Sequence, residues 1–413
     1  PPLLLVNAAW LLAVGWIVWE LPSAAVSEGA GVDASLLLMT AGAAFFVPSL
    51  LFGMLPPVAI TLLRTPTEDG EGTISSEVVG NIYAVSTVGS VAGALAAAFY
   101  FIPWVGLTAS LQVFAAGLVV FALYFWQDAR RYVLAGGVVL ALVFPQPGFV
   151  WRDDDGLELL AQREGYYQTI RVYGNRQYVQ MHLGPTFHSR MDLATGEPSF
   201  SYARTMLDLA GEDVAGQRVL VIGGAGHSLT RVLEQGGAVV TEVEIDPLVV
   251  ELSDAYFGPV ESEIVIQDGR LYVEGAPAGT FDLILVDAFD GAATVPPQLT
   301  TVEFFEAVAR ALKPGGRMLY NFIGTPEGDR SRSYGALAAT LDAAFAYTGG
   351  RATQGDGRII GQSSRNIIFV ASDADISDLP VYILPDDGRV LTDDDNPIDV
   401  FLAESRDFMY FRR

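Results

Sequence analysis

Between Arg218 and Asp290 the chain repeats one local plan: an apolar run of strand length that ends in glycine or acid and leads into a helical segment. Arg218-Val-Leu-Val-Ile-Gly-Gly-Ala-Gly-His-Ser runs a buried strand into a glycine turn and a helix. Thr241-Glu-Val-Glu-Ile-Asp246 and Ile264-Val-Ile-Gln-Asp268-Gly269 end two further strands in acid. Phe281-Asp-Leu-Ile-Leu-Val-Asp287-Ala-Phe-Asp290 ends a fourth with two carboxylates. Strands that alternate with helices build a parallel sheet covered on both faces. In an open sheet of that kind, ligands bind in the crevice beyond the carboxyl ends of the strands. Acids repeated at those ends therefore describe one pocket, suited to a ligand rich in hydroxyls and amines.

The rest of the 413 residues is organised very differently. Residues 1–150 carry three basic side chains, Arg64, Arg130 and Arg131, and long uncharged runs. A hydrophobic stretch of about 18 residues or more reads as a membrane span. Pro2–Trp19, Ala34–Leu63, Val79–Ile102 and Val105–Trp126 pass that test, and Tyr132–Pro145 is a short fifth candidate. The expectation is a transmembrane helical domain of four to five spans over 1–150. Pro48, Pro56 and Pro57 should kink the second span, and Gly89 and Gly93 should give the third a small-residue face for helix contact. No charge sits at mid-span, so transport is disfavoured. Residues 151–212 read as a small antiparallel β region, with strands at Tyr166–Val172 and Gln177–Leu183, and a linking helix at Ser199–Gly211. Residues 213–413 read as a Rossmann-like α/β domain. Its later elements are a helix at Val302–Leu312 stopped by Lys313-Pro-Gly-Gly316, a strand at Arg317–Phe322, a helix at Ser331–Phe345 and a strand at Asn366–Ala371.

Charge narrows the partners. The net charge is −24, and Lys313 is the only lysine. A surface this acidic repels nucleic acid and stays soluble in concentrated salt, as in salt-adapted proteins. There are no cysteines, which excludes disulfides and thiolate metal sites. The three histidines, His182, His188 and His227, lack helical pair spacing, so no metal site is expected.

The glycine turn, Gly223, Gly224 and Gly226, lacks the full dinucleotide spacing, and nothing nearby demands a pyrophosphate. Glu244 follows about twenty residues later at a strand end, where an acid accepts hydrogen bonds from ribose hydroxyls. A nucleoside with a sulfonium tail fits better than a dinucleotide, with Asp268 near the adenine amine. The competing reading makes each acid a helix cap or a surface charge. Asp287 and Asp290 are the catalytic candidates. A carboxylate emerging from a buried strand can hold an amine and take its proton, which is worth about 10²–10⁴-fold. Two carboxylates close together would also raise one pKa. The alternative is that Asp287 forms a turn and Asp290 caps a helix.

With these residues in view, 151–325 resembles the spermidine synthase (polyamine aminopropyltransferase) family. The resemblance rests on Tyr167-Gln168-Thr-Ile-Arg-Val, Val-Leu-Val-Ile-Gly-Gly, Val243-Glu-Ile-Asp246, Asp268-Gly269, Asp287-x-x-Asp290 and Leu312-Lys-Pro-Gly-Gly316. Leu51-Phe-Gly-Met-Leu-Pro-Pro, Gly80-Asn-Ile-Tyr-Ala-Val-Ser-Thr-Val-Gly-Ser and Leu391-Thr-Asp-Asp-Asp-Asn-Pro are similar to motifs of multi-span proteins in which such a domain follows a helical bundle.

The resemblance implies aminopropyl transfer from decarboxylated S-adenosylmethionine to a diamine or other polyamine-type small-molecule amine, without a metal. Gln168 would touch the donor, Glu244 the ribose and Asp268 the adenine, beside Gly269. Asp287 would be the general base, assisted by Tyr202. It also implies a homodimer, a lipid-bilayer anchor and a cytoplasmic site.

This chain departs from the family pattern in two places. Its glycine loop is one residue shorter and carries His227 in place of an acid. Pro198-Ser-Phe-Ser-Tyr202-Ala-Arg204 keeps the tyrosine but loses the surrounding acids and histidine. Two other readings therefore stay open. One is an S-adenosylmethionine-dependent methyltransferase, with Arg204 on the donor carboxylate. The other is a non-catalytic sensor or assembly subunit. His227 could fill the gap left by the missing acid, or act as a helix cap or surface residue.

Overall fold

The computed structural model describes residues 4–12, 34–62, 75–125 and 156–405, except 185, 212, 292, 354–358, 360–363, 383 and 385–387. The chain divides into two compact units, residues 1–151 and 152–410.

Apolar helices make up the described part of the first unit. Ala34–Gly53 and Leu55–Leu62 are separated at Met54, so the long second span expected from sequence is a broken helix. Ser76–Ala96 starts at Ser75, whose hydroxyl accepts from the Val78 amide at 3.3 Å, and none of its side chains is buried. It continues through a π turn, Ala97–Phe101, and the chain leaves Ile102–Val105 at Gly106, whose φ of 87° breaks the run before Leu107–Phe125. Ser76–Phe101 is the one helix among the described residues long and apolar enough to cross a membrane. Its 26 residues rise about 39 Å, more than the ~30 Å of a hydrocarbon core. Of the first expected span, residues 4–12 are helical; the fifth lies outside the described residues. Among the described residues, Gly89 and Gly93 do not make the close helix contact expected of them. A Cβ at either position would meet nothing within 4 Å, and both line an open groove of about 960 Å³ facing Phe52 and Pro56.

The second unit opens with a four-stranded antiparallel sheet, β1 (Glu158–Glu164), β2 (Thr169–Gly174), β3 (Tyr178–Leu183) and β4 (Thr186–Asp192), in sequence order. Two of these strands were expected. Tyr166 and Tyr167 lie in the β1–β2 turn, closed by the Gly165 amide on the Gln168 carbonyl, and not in a strand. β1 escaped notice because Leu159 and Leu160 are adjacent and both exposed among charged residues, at a register shift, which removes any alternation.

The larger sheet has seven strands in the order β10-β11-β9-β8-β5-β6-β7. β5 (Arg218–Ile222), β6 (Val239–Glu244), β7 (Glu263–Ile266), β8 (Phe281–Val286) and β9 (Leu312–Gly324) are parallel. β11 (Arg365–Ser372) runs antiparallel to β9, and β10 (Tyr347–Ala352) antiparallel to β11, so the sheet is mixed. β10 is hidden in sequence by Gly349 and Gly350, which have no side chain because Val381, Ile359 and Leu384 fill that space. The helix before Lys313-Pro-Gly-Gly316 ends at Ala311 with Leu312 as its C-cap, as expected, but the four residues lie within a strand. They form an irregularity within β9, where pairing with β8 passes from Leu312 to Arg317.

Alternation along the strands divides the core. Val219, Val221, Leu283 and Leu285 pack under α1 (Ser201–Ala210) and α2 (Ser228–Gln235), while Leu220, Ile222, Ile284 and Val286 meet α5 (Val302–Ala311) and α6 (Arg332–Ala344) on the other face. α3 (Pro247–Tyr256) and α4 (Gly269–Gly275) follow β6 and β7, and α7 (Ile398–Ser405) closes the unit.

One buried charge pair lies beneath the glycine turn. Glu242 falls on the α2 side of β6, fully buried, and accepts from Thr230 Oγ1 and from His227 Nδ1, the latter at 2.8 Å. His227 is itself fully buried, at a φ of 49°, with Asp254 3.3 Å from Nε2. It is neither a surface residue nor a side-chain cap, because its ring turns inward to Glu242. Burial pushes its pKa down, but the Glu242 hydrogen bond and the Glu242 and Asp254 charges outweigh this and raise it. The pair's stabilisation is therefore complete below the unfolded value of about 6.5 and is lost as pH rises through the folded pKa. Removing one partner of a buried pair costs about 3–5 kcal/mol. His227→Ala should lower the melting temperature, and the gap from wild type should be wider at pH 6 than at pH 9. An equal gap at both pH values would show that the charge contributes nothing.

Candidate active site

Strand alternation decides where Asp287 points. It is in step with Leu283 and Leu285, so it leaves β8 on the α1 side of the sheet. The register pairs Val286 with Tyr320, which brings Asn321 alongside. Asn321 Nδ2 donates to Asp287 Oδ1 at 2.8 Å, and Asn321 Oδ1 accepts from Asn366 Nδ2 at 3.1 Å. The second bond fixes which end of the Asn321 amide faces the carboxylate. Tyr202, on the first turn of α1, hydrogen-bonds Asp287 and stands 2.9 Å from the His188 carbonyl oxygen. Burial pushes Asp287 up to about 7 against these two hydrogen bonds, which lower it. Both Asp287 and Tyr202 line a cavity of about 110 Å³.

Asp290 is not part of this arrangement. It is exposed and accepts from the Thr294 amide at 2.7 Å and from Thr294 Oγ1. The chain folds back on itself here, with the Ala293 amide on the Asp290 carbonyl and Ala293 at a φ of 55°. The expected coupled carboxylate pair is absent, and the raised pKa of Asp287 comes from burial alone.

A second group of acids occupies the neighbouring strand ends. Glu244 accepts from the amides of Gly224 and Asp246, each at 3.0 Å. Burial raises its pKa, while those two bonds lower it. A carboxylate has about four acceptor positions, so two backbone donors leave capacity for ribose hydroxyls. Asp246 caps α3 through the Leu248 amide at 2.9 Å, and its buried Oδ2 has no hydrogen-bond partner among the described residues. Asp268 caps α4, accepting from Arg270 and Leu271 amides at 2.8 and 3.3 Å. The cap uses Oδ1, and Oδ2 faces the Gln298 side-chain amide at 3.5 Å. Tyr167 ties the group together: burial raises its pKa first, then the charges of Asp246, Asp268 and Glu244, which all reach it.

The smaller sheet roofs these strand ends. Gly184, in the β3–β4 turn, packs against Gly291, and Thr186 Oγ1 donates to the Gly291 carbonyl at 3.0 Å. The Gln168 side chain lies over Gly291 as well. Below, the glycine turn must be bare. Gly223 has a φ of 97°, and a Cβ there would overlap the Asp287 carbonyl oxygen; at Gly224 it would overlap the Glu242 carboxylate. Gly226 is packed against Ser189 and Phe257, and Gly269 against Ile222. Arg204 is exposed and donates from Nε to the Pro198 carbonyl at 3.2 Å, outside the cavity lining.

The Leu391–Pro397 segment clamps this region from outside. Arg270 holds Asp393 through both guanidinium nitrogens, at 2.6 and 2.5 Å, and Glu274 through Nε at 2.7 Å. Asn396 Nδ2 donates to the Pro297 carbonyl and to Thr300 Oγ1 at 2.8 and 3.0 Å.

Sequence reasoning missed Tyr167, Asn321, His188, Phe187, Phe200 and Glu242 as contributors. Asn321 left a signal: it is the lone amide in the apolar run Met318–Ile323. Among the described residues no group of three or more histidine, aspartate or glutamate side chains is placed to hold a metal ion.

These features carry a comparison with known proteins. Residues 199–321 match the spermine/spermidine synthase domain. That stretch contains α1, the glycine turn and every strand-end acid described above. Over 348 residues the chain is 27% identical to a polyamine aminopropyltransferase of Mycobacterium tuberculosis, covering 77% of this chain and 64% of that protein. It is 26% identical to polyamine aminopropyltransferase 1 of Streptomyces coelicolor, covering 73% and 61%. A polyamine aminopropyltransferase of Chromobacterium violaceum is 38% identical over 152 residues, covering 34% and 57%. The chain therefore spans less than two thirds of the length of these relatives. A probable spermidine synthase structure from Corynebacterium glutamicum aligns at a TM-score of 0.47 and 24% identity, covering 52% of this chain and 81% of that one.

A base must be ionised to act. Turnover that depends on Asp287 should fall as pH drops below about 7, tenfold per unit well below it. Asn321→Leu removes a hydrogen bond that lowers this pKa and should move the acid limb of kcat/KM to higher pH. A limb that stays in place would separate it from Asp287.

Proposed function

We propose that the chain is a membrane-associated aminopropyltransferase, moving the aminopropyl group of decarboxylated S-adenosylmethionine to a primary amine. The observation that carries this is the placement of Asp287. It is a carboxylate at the end of the central strand β8, oriented by Asn321, contacted by Tyr202 and opening onto a cavity. The domain match and the polyamine aminopropyltransferase relatives support a transferase, and the acids of β6 and β7 supply the nucleoside half.

In this reading Glu244 takes the ribose hydroxyls and Asp268 lies by the adenine, with Tyr167 and Gln168 closing over the donor. Asp287 accepts a proton from the acceptor ammonium and leaves a neutral amine. The nitrogen lone pair attacks the propyl carbon bound to the sulfonium. The C–S bond breaks with its electron pair going to sulfur, a C–N bond forms, and methylthioadenosine leaves. Tyr202 and Asn321 hold the carboxylate in line with the nitrogen and stabilise its charged form. The bilayer part of the reading is supported by Ser76–Phe101, an apolar run of 26 residues in which no described side chain is buried. A cytoplasmic site follows from the donor, which is made inside cells.

Detergent-purified protein supplied with the decarboxylated donor and an amine should release methylthioadenosine. Asp287→Asn should lower kcat by about 10²–10⁴-fold with donor affinity retained. Release of S-adenosylhomocysteine from S-adenosylmethionine, with no methylthioadenosine from the decarboxylated donor, would replace this reading with methyl transfer.

A further inference from the structure

The walls of the cavity beside Asp287 are chemically lopsided. Asp287 is the one carboxylate among its described lining residues, and most of the remaining wall is aromatic or apolar. Phe187 and Phe200 stack with ring centroids 5.4 Å apart at 29°, and Phe200 and Tyr202 at 6.0 Å and 22°. These near-parallel rings form a shelf that ends at the carboxylate, with Phe289 and Ile323 also in the wall.

The polar groups among the described lining residues add no second anion. Asn321 is committed to Asp287 and Asn366. The His188 ring stands 2.7 Å from Thr186 Oγ1, and burial lowers it to about 4 against the opposing Asp290 charge, so it is neutral at pH 7. Asp290 is exposed and engaged by Thr294.

An acceptor with two ammonium groups would have to place the second against this half-buried shelf. An ammonium that loses part of its hydration there has no charge partner to offset the cost. Aromatic faces can repay part of that. Here Phe200 has a ring neighbour on each side, Phe187 and Tyr202, which leaves less of its face open to a cation, and an aromatic edge is the positive end of the ring quadrupole. Hydrocarbon or another ring gains from the same surface, at about 25 cal/mol per Å² of apolar area removed from water.

We propose that the acceptor is a primary monoamine with a short apolar or aromatic tail, its nitrogen on Asp287 and its tail along Phe187 and Phe200. This rests on the aminopropyl-transfer reading and specifies its second substrate. The cavity volume of about 110 Å³ limits the tail to roughly a single ring or a short branched chain.

The test uses the full chain in detergent with decarboxylated S-adenosylmethionine and four amines: phenethylamine, isoamylamine, putrescine and spermidine. Methylthioadenosine release is measured for each, and amine binding to protein loaded with methylthioadenosine is followed by calorimetry. The expected result is a kcat/KM for phenethylamine or isoamylamine at least tenfold above that for putrescine. Phe200→Asp, which adds a carboxylate to the shelf, should reduce or reverse that ratio. Preference for putrescine or spermidine in the wild-type protein would overturn the inference while leaving aminopropyl transfer standing. Absence of methylthioadenosine with every amine would remove the transfer reading, and the binding data then decide the pocket separately. Monoamines binding tighter than putrescine would support the inference, and the reverse order, or no binding at all, would overturn it.

Discussion

The whole catalytic end of the second unit depends on one close approach, between the turn at Gly223-Gly224 and the carboxylates around it. The Asp287 carbonyl occupies the space a side chain at Gly223 would need, and Glu242 occupies the space at Gly224. Because the turn is bare, β5 can run on between β6 and β8 until three acids converge on one crevice. Any larger residue would push β8 away, and the alignment of Asp287 with Asn321 would go with it.

The acids at that crevice are kept in place by different means, and the difference sets their chemistry. Glu244, Asp246 and Asp268 are bound by backbone amides, which are rigid and cannot change protonation state. Such acids suit fixed recognition of hydroxyls and amines. Asp287 is held by the side chains of Asn321 and Tyr202 in an apolar wall, so desolvation dominates its pKa. It can exchange a proton near neutrality. The amide-bound acids and the side-chain-bound Asp287 thus belong to different strand ends around the glycine turn.

Much of this was legible in the sequence, because periodicity and strand-end acids are local signals. The strands carrying Glu244, Asp268 and Asp287 were placed to within a residue or two. Asp290 was misjudged because its fate is decided by a turn back onto Thr294, which a carboxylate three residues from Asp287 does not announce. His227 was undervalued because its partner Glu242 lies on another strand and on the inner face. Tyr167 reaches the acids only when the small sheet folds over them. In the first unit, apolar composition predicted helices correctly but not the break at Met54, nor the open groove beside Gly89 and Gly93.

The clamp between Arg270 and Asp393 joins positions 123 residues apart. Ribosomal synthesis delivers the helix capped by Asp268 long before the segment that fastens it. Until the last strands and the Leu391–Pro397 stretch emerge, α4 and the loop before α5 lack their outer tether. Completion of the nucleoside side is thereby tied to completion of the chain. A protein truncated ahead of Asp393 would retain every acid that faces the crevice and still lack the strap that keeps two of its walls together.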